Sequence, residues 1–565
     1  AAGALLDARV PRAVVASLAA ELADLPAPAQ ALLQGAAVAG EAFEPDLAGS
    51  AAELTPADAL GALDELLARE LVRETDVPRR FVFRHPLVRR AVYDGAPGGW
   101  RLAAHARLAD ELERRGASAS ERARHAEHAA VPGDQAAVEL LVRAGCETLS
   151  RAPATAVRWF GAALRLLPAA ETDRRVELLE LHAGALRAAG ELEACRSALL
   201  EALQILPAPG GARRAELIAN CAAVEHWLGR HEEAGARLER AWEELPAHDG
   251  PEAARLAIEL ATDSLFQLDF ARTREMGEQA LTIARALDEP ALRTWAASVL
   301  CFAAATGGET PEAHARQADA AAAMDALPDE QLATCLDAVY HLVWAESYLE
   351  RFEQAIARAD RGLAVARSHG QGQMTVPLML SKLYALEALG RLGEALELAE
   401  RAIESARLAS NPQYLFWALW EAAYACGLMG DPEAAYGFSK ESQVVASGRG
   451  RNVPGTAEPG WLVGYCRVAI GDLDGGRAEL LEALGGPAAA NVVPAERTLA
   501  FQDLQLVELQ GGRLVEAEAC AVRAEACAAQ LGRPVATAHA ARCRAEVLLA
   551  QERPAAAVTA AERSF

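Results

Sequence analysis

Lysine is all but missing from this 565-residue chain: Lys382 and Lys440 are the only two, a bias that reads as high-GC coding rather than function. Aromatic residues are scarce as well, at 5%. No uninterrupted apolar stretch reaches the ~18 residues that a membrane-spanning helix needs, so no membrane span is expected. The opening Ala1 to Val10 lacks an initiator Met and a basic segment, which excludes a signal peptide. The ten cysteines stand singly, with no C-x-x-C pair and no His/Cys spacing suited to zinc. They read as small buried side chains of a cytoplasmic protein in a reducing compartment, and Cys520 and Cys527, seven apart, could share a helix face. There is no G-x-S-x-G elbow, no convincing catalytic triad and no G-x-x-x-x-G-K-[ST] phosphate loop, so the chain is not expected to be an enzyme.

Positive charge is also in short supply. With 55 Lys/Arg against 79 Asp/Glu the net charge is -24, which argues against broad nucleic-acid binding and against an anionic membrane surface. Residues 1–130 carry 15 Lys/Arg against 19 Asp/Glu, so most of the acidity lies beyond them.

What is present in excess is Ala, Leu, Arg and Glu, all strong helix formers, in a chain that is 52% hydrophobic. These residues repeat. About every 40 residues from near residue 150 onward, a small or polar residue marks the bend of a helical hairpin, with alanines roughly five and twelve positions later. Gly190 leads to Leu192, Cys195, Ala202 and Pro207; Gly229 to Ala234, Ala241 and Pro246; Gly390 to Leu392, Ala395 and Ala402; Gly512 to Leu514, Ala517 and Ala524. Weaker copies bend near Ala152, Asp269, Gly308, Glu350, Gly430, Gly471 and Glu552. Glycine permits the bend and alanine lets two antiparallel helices approach closely. One such hairpin cannot bury its own apolar face, so the copies must stack into a solenoid. The fold class expected is therefore mainly α, a tetratricopeptide-like α-α array over residues 136–565 with about 11 hairpins, although the period exceeds the usual ~34. The array runs into the C-terminus inside what should be the second helix of a repeat, so both ends read as cuts through a longer polypeptide.

The first 130 residues follow a different pattern. Ala27 to Val38 reads as a short apolar helix, and Thr55 to Arg69 as another, with Thr55 as N-cap, Pro56 at N1 and Asp58 at N3. Leu71 to Glu74 and Arg80 to Arg84 alternate around the turn Thr75 to Pro78, as a small β-hairpin would. Helix, helix and hairpin is the order of a winged helix, placed at residues 27–98. Pro86 to Tyr93 returns to helix, and the amphipathic Trp100 to Arg115 begins a connecting region, residues 99–135.

The stretch Val77-Pro78-Arg79-Arg80-Phe81-Val82-Phe83-Arg84-His85-Pro86-Leu87-Val88-Arg89-Arg90-Ala91-Val92-Tyr93 resembles the segment that follows the nucleotide-binding core in large ATP-binding regulators of the LuxR type. Gly99-Trp100-Arg101-Leu102-Ala103-Ala104-His105 and Ala163-Leu164-Arg165-Leu166-Leu167-Pro168 fit the same family. Its layout is a STAND-type P-loop ATPase, a winged helix, a tetratricopeptide-like sensor array and a LuxR-type helix-turn-helix. The resemblance covers essentially all 565 residues, which match the middle of that layout. It implies that residues 1–26 end the helical region of the ATPase. It also implies an N-terminal ATPase and a C-terminal helix-turn-helix missing from this sequence but joined to it in cis. No cofactor is expected in this chain; ATP/ADP and Mg are implied for the missing ATPase. DNA would be reached only through the missing domain, a small-molecule or protein effector would bind the repeats, and the active form would be a homo-oligomer. Two other readings stay open: a protein-interaction scaffold with no role in transcription, and the regulatory part of an ATPase-linked cyclase or kinase.

Within the family a histidine of the winged helix approaches bound ADP, and His85, in its F-x-H-P-L context, matches that position; Arg84 and Arg80 accompany it as nucleotide-sensing candidates. The bland alternative is a histidine capping the helix that starts near Pro86. Arg79, Arg80, Arg84, Arg89 and Arg90 form the densest basic cluster. They would face the nucleotide or the missing ATPase, touch DNA, or form a solvated face paired with carboxylates. In the array, Tyr340, Trp344 and Tyr348 fall at i, i+4 and i+8, and Trp417, Trp420 and Tyr424 at i, i+3 and i+7. Each set lies on one face of a first helix, either as groove residues for an effector or partner or as core wedged between helices. His125 and His128 with Glu127, and His231-Glu232-Glu233, lack the order and third ligand of a metal site, so the metal assignment is none and a solvated helix face is expected for the former. Residues Gly448 to Gly460 read as a loop between repeats.

Overall fold

The computed structural model describes residues 21–206, 211–447 and 457–564. The expected end of an ATPase region falls largely on residues outside these, as do Pro207 and most of the Gly448–Gly460 loop. Residues 457–460 of that loop belong instead to the helix Ala457–Ala469. The chain is mainly α and divides into two units, Ala1–His182 and Ala183–Phe565.

In the first unit, helices Ala27–Ala39 and Pro56–Ala68 form around an apolar core that includes Leu32, Leu33, Ala36, Leu63 and Leu66. Thr55 caps the second of them by accepting from the Asp58 amide, with Pro56 at N1, where no amide hydrogen is needed. Strand β2 (Val72–Glu74) pairs antiparallel with β3 (Phe81–Phe83), Arg73 opposite Val82. A two-residue strand, β1 (Ala42–Phe43), adds to the other side of β3, giving the order β1-β3-β2. Neither β1 nor the short helix Pro45–Ala51 is signalled in the sequence, because two residues carry no period and the helix is built largely from small residues. Phe43 packs on Phe81 and Phe83, which closes the sheet on the helices. Helices Pro86–Gly95, Gly98–Arg114, Ala119–Ala129, Gln135–Thr148 and Pro153–Leu166 complete this unit before the helix Thr172–Ala188, which spans the boundary.

The second unit is a tetratricopeptide-like array of helix hairpins. Nine complete ones run from helix Ala212–Trp227 with His231–Glu244 to helix Pro534–Ala550 with Pro554–Ala561. Their bends share one backbone device, a residue at positive φ: Gly229 (72°), Gly308 (80°), Gly390 (71°), Gly430 (81°), Gly471 (100°) and Gly512 (69°). Leu268, Glu350 and Glu552 adopt the same left-handed conformation at equivalent bends without being glycine. For an L side chain this costs roughly 1–2 kcal/mol. Glu552→Gly, at an exposed bend, is therefore expected to stabilise the last repeat by about 1 kcal/mol, read as a higher urea midpoint. The alanines after the bends are the contact points: Ala202, Ala234, Ala395, Ala402, Ala517 and Ala524 are fully buried between helices. Gly464 and Gly476 also mark a close approach, since a Cβ on either would meet the other helix's backbone within 3 Å.

Buried acids tie neighbouring repeats together. Four residues before three bends stand Glu225, Glu346 and Glu508, essentially buried. Glu225 accepts from Arg196 of one hairpin and Arg237 of the next at 2.8 and 2.9 Å. Glu346 takes Gln317 at 2.8 Å and Arg358 at 3.1 Å, and Glu508 takes Arg477 and Arg513. The array also turns back on itself: Arg533 donates to the Ala305 carbonyl at 2.7 Å and to Thr310 at 3.1 Å. Glu350 accepts the Val535 amide at 3.0 Å, and Asn411 reaches the Trp227 carbonyl.

Candidate functional site

The first helix of each hairpin places side chains of one register on one face, because steps of four residues nearly complete a helical turn. Counted back from the bends, Phe302, Trp344, Tyr384 and Tyr424 stand six residues before Gly308, Glu350, Gly390 and Gly430. Tyr340, Leu380, Trp420 and Trp461 stand ten before their bends, and Trp227, Phe266, Thr306 and Tyr348 two before theirs. All twelve line one cavity of about 180 Å³, open at its mouth, inside the second unit.

All six aromatics singled out from the sequence, Tyr340, Trp344, Tyr348, Trp417, Trp420 and Tyr424, come together on this wall. They both pack and line: Tyr348 is buried and the other five are half-buried. Rings from successive repeats touch, Trp344 with Tyr384 at 6.0 Å and Tyr348 with Tyr384 at 5.8 Å, while Trp420 stacks on Tyr424 at 5.5 Å. Trp227, Tyr384, Tyr414 and Trp461 belong to the same wall and lie outside the two sets read from the sequence; Trp227 and Tyr384 have no Phe, Trp or Tyr at helical spacing, whereas Tyr414 has Trp417 at i+3 and Trp461 has Tyr465 at i+4. Aligning the copies on their bends would have found three of them.

The polar groups of the wall include three acids. Glu496 accepts from the Tyr348 hydroxyl at 2.5 Å, and Asp503 from the Trp461 indole at 2.9 Å. Glu421 is 2% exposed and its Oε2 has no hydrogen-bond partner; the same holds for Gln413 Oε1. Burial pushes the Glu421 carboxyl up to about 8, with the charge of Glu496 adding to the shift. Burial likewise takes Asp503 to about 7, against the pull of Trp461 and Arg542. A second cavity shares Tyr348, Tyr384, Tyr424 and Glu496 with the first and is lined by Glu387, whose carboxyl burial and the neighbouring Glu421 hold well above its usual range. Its arginines are engaged, Arg533 on Thr310 and Ala305, and Arg542 on Glu546 at 2.9 Å. No Lys or Arg lines the first cavity.

At the other end of the wall, His226 donates to Asp263 at 3.2 Å and lies 3.6 Å from Glu259. Against burial, which lowers it, these two carboxylates hold the imidazolium up to about 9. His231 stacks on His226, and among the described residues His226, His231 and Asp263 are the group whose donor atoms come within 4.8 Å of one another. With His226 charged, the arrangement is complete as an ion pair. The adjacent His231-Glu232-Glu233 run hides it, since its partners lie a repeat away.

In the first unit, His85 caps the helix Pro86–Gly95, its Nδ1 accepting the Leu87 amide at 3.1 Å, and the residue is exposed. Arg84 is held by both oxygens of Glu21 at 2.9 and 2.6 Å, while Arg80 is exposed. Arg79 pairs with Asp46, Arg90 with Asp94, and Arg89 donates to the Ala37 carbonyl. His125 corrects the solvated-face expectation: it is buried, 2.9 Å from His105, whose other nitrogen meets the Tyr93 hydroxyl at 3.0 Å. Burial then lowers His105 to about 3 and His125 to about 4. A period read on one helix could not reveal a partner on another. Of the cysteines, Cys146 is exposed and Cys527 half-buried, and the remaining eight are buried; burial raises the thiols of those eight and of Cys527, for example Cys195 to about 11.

No protein-family model matches the chain, and no curated protein does. Solved structures are similar. A Rap protein complexed with Competence and Sporulation Factor is 12% identical, covering 62% of this chain and 97% of that one, with a TM-score of 0.47. The STAND protein PH0952 from Pyrococcus horikoshii, which has a tetratricopeptide repeat sensor, is 14% identical over 82% of this chain and 63% of its own, with a TM-score of 0.34. The APC/C hetero-tetramer Cut9-Hcn1 is 12% identical over 83% and 90%, with a TM-score of 0.44. The chain's own repeats establish the fold as a tetratricopeptide-like helical scaffold. Among the described residues no helix is long and apolar enough to cross a membrane.

Proposed function

We propose that this chain is the sensor midsection of an ATP-dependent LuxR-type transcriptional regulator, and that the aromatic cavity of the array is where its effector binds. The observation that carries the effector site is the wall itself: twelve residues in three registers, drawn from successive repeats, face one open cavity. A solenoid needs its alanines to stack, but stacking does not require rings in register on the inner face of its first helices. Residues 27–98, with three helices and a β-hairpin ahead of the His85 helix, serve as the winged helix of that layout. Around His85, Arg84 is neutralised by Glu21, so the groups available to a phosphate of the cis ATPase's nucleotide are exposed Arg80 and the ring of His85. Effector binding would shift the population from an ADP-bound resting form to an ATP-bound, oligomerising, DNA-binding one in the cytoplasm. That shift needs different effector affinity in the two states. In this reading the chain itself catalyses nothing.

The neutral dye Nile red tests the cavity in the 565-residue chain. Dye fluorescence should rise on binding, and Trp420→Ala should weaken binding about fivefold with little change in thermal midpoint, since Trp420 is only half-buried. No binding, or unchanged binding in the variant, would remove the effector site. For the regulator as a whole, the flanking coding sequence decides: a four-helix LuxR-type domain supports it, and a cyclase or kinase domain supports a signalling enzyme instead.

A further inference from the structure

Three buried carboxyls, Glu421, Glu496 and Asp503, line the cavity together with an aromatic wall and no Lys or Arg. Several buried acids elsewhere in the array are met by arginine instead, Glu387 beside Glu421 excepted, whose two oxygens also lack a hydrogen-bond partner. Glu225, Glu346 and Glu508 each meet one or two arginines, and Glu259 meets Arg255 at 3.1 Å. Glu496 and Asp503 have only neutral donors, a tyrosine hydroxyl and an indole, and Glu421 Oε2 has none. Leaving a buried acceptor unmatched is costly, and a site that receives a donor there recovers that cost.

We propose that this cavity takes an organic cation, a molecule with an apolar body and one ammonium group, with the ammonium seated at Glu421 and the body against Trp344, Trp420 and Tyr384. The inference rests on the effector-site reading above and names the ligand's chemistry. Each part of the wall contributes. Ring faces carry the negative end of the aromatic quadrupole and attract a cation placed over them. An ammonium hydrogen-bonds a carboxylate more strongly than a neutral donor does, and its charge favours release of the proton that burial keeps on Glu421 in the empty cavity. An anion would meet three acids and no base. An inorganic cation is poorly served, because the carboxyl oxygens of Glu421, Glu496 and Asp503 do not converge as a ligand set among the described residues. The one charged histidine of the wall, His226, is taken by Asp263 and Glu259.

The test compares three probes of one length, 4-phenylbutylamine, 4-phenylbutanol and 4-phenylbutyrate, by quenching of tryptophan fluorescence in the 565-residue chain at pH 7. The amine should bind at least about tenfold more tightly than the alcohol, and the acid more weakly than the alcohol. Glu421→Gln, nearly isosteric, should bring the amine to within about threefold of the alcohol while leaving the alcohol's affinity unchanged. An amine no tighter than the alcohol overturns the cation site but leaves the cavity as a site for neutral ligands. Failure of all three probes, together with Nile red, overturns both. The wild-type ratio decides by itself should the variant not fold.

Discussion

Raising the pH from 6.5 to 8 is expected to lower the stability of the repeat array steeply, and Glu421→Gln is expected to remove a large part of that slope. A carboxyl pushed up to about 8 keeps its proton in the folded chain while the unfolded chain has lost it above the ordinary value near 4.5. Its contribution is therefore full below that value and declines, by up to about 1.4 kcal/mol per pH unit, until the pH passes 8. His226 acts in the same sense. Raised to about 9, it contributes fully below 6.5 and loses that contribution as the pH climbs toward 9. Asp503 adds the same sign up to about 7. Below 6.5 the buried His341, lowered to about 3, works the other way, because only the unfolded chain takes up its proton. The stability curve should thus be flatter from pH 5 to 6.5 and fall above it, as measured by urea unfolding at fixed ionic strength. A curve that is level or rising between pH 6.5 and 8 would show that Glu421 meets water or a fixed cation in the folded chain.

Glu346→Ala should be the most damaging single change in the array outside the cavity. Glu346 is fully buried, and its loss leaves Arg358, whose side chain is 10% exposed, and the buried Gln317 without their shared acceptor. Removing one partner of a buried pair costs roughly 3–5 kcal/mol, chiefly through the uncompensated charge that remains. Replacing Glu346 and Arg358 together by Leu and Met should cost much less than the sum of the two single changes, since no charge is then stranded. Equal and additive costs, measured by urea unfolding of all four chains, would mean that the contact is one of packing alone.

The bends, the stacking alanines and the capped helix after Thr55 were legible because each follows from local chemistry. Left-handed backbone selects glycine, close helix approach selects alanine, and an orphan amide selects a threonine oxygen. The six aromatics were legible as a face of their helices but not as a face with one purpose, since spacing along a helix says which residues point together and not what they point at. Phe302, Tyr384 and Trp461 were not legible as one wall because the register each shares with rings of other repeats appears only when the copies are aligned on their bends. His125 was misread for a related reason: a helix face is solvated or buried according to what packs on it, and His105 arrives from the neighbouring helix.

By itself the sequence determined an acidic, mainly α chain of stacked helix hairpins, because helix propensity, bend residues and small contact residues act over a few positions. It also determined which residues along each first helix point together. Only the tertiary structure decided that the array closes on itself through Arg533 and Glu350, that rings from separate repeats bound one cavity, and that Glu421 enters it without the arginine that serves Glu225 and Glu346. Those outcomes depend on the angle at which each hairpin meets the next. That angle is a sum of many small packing terms, and no single residue states it.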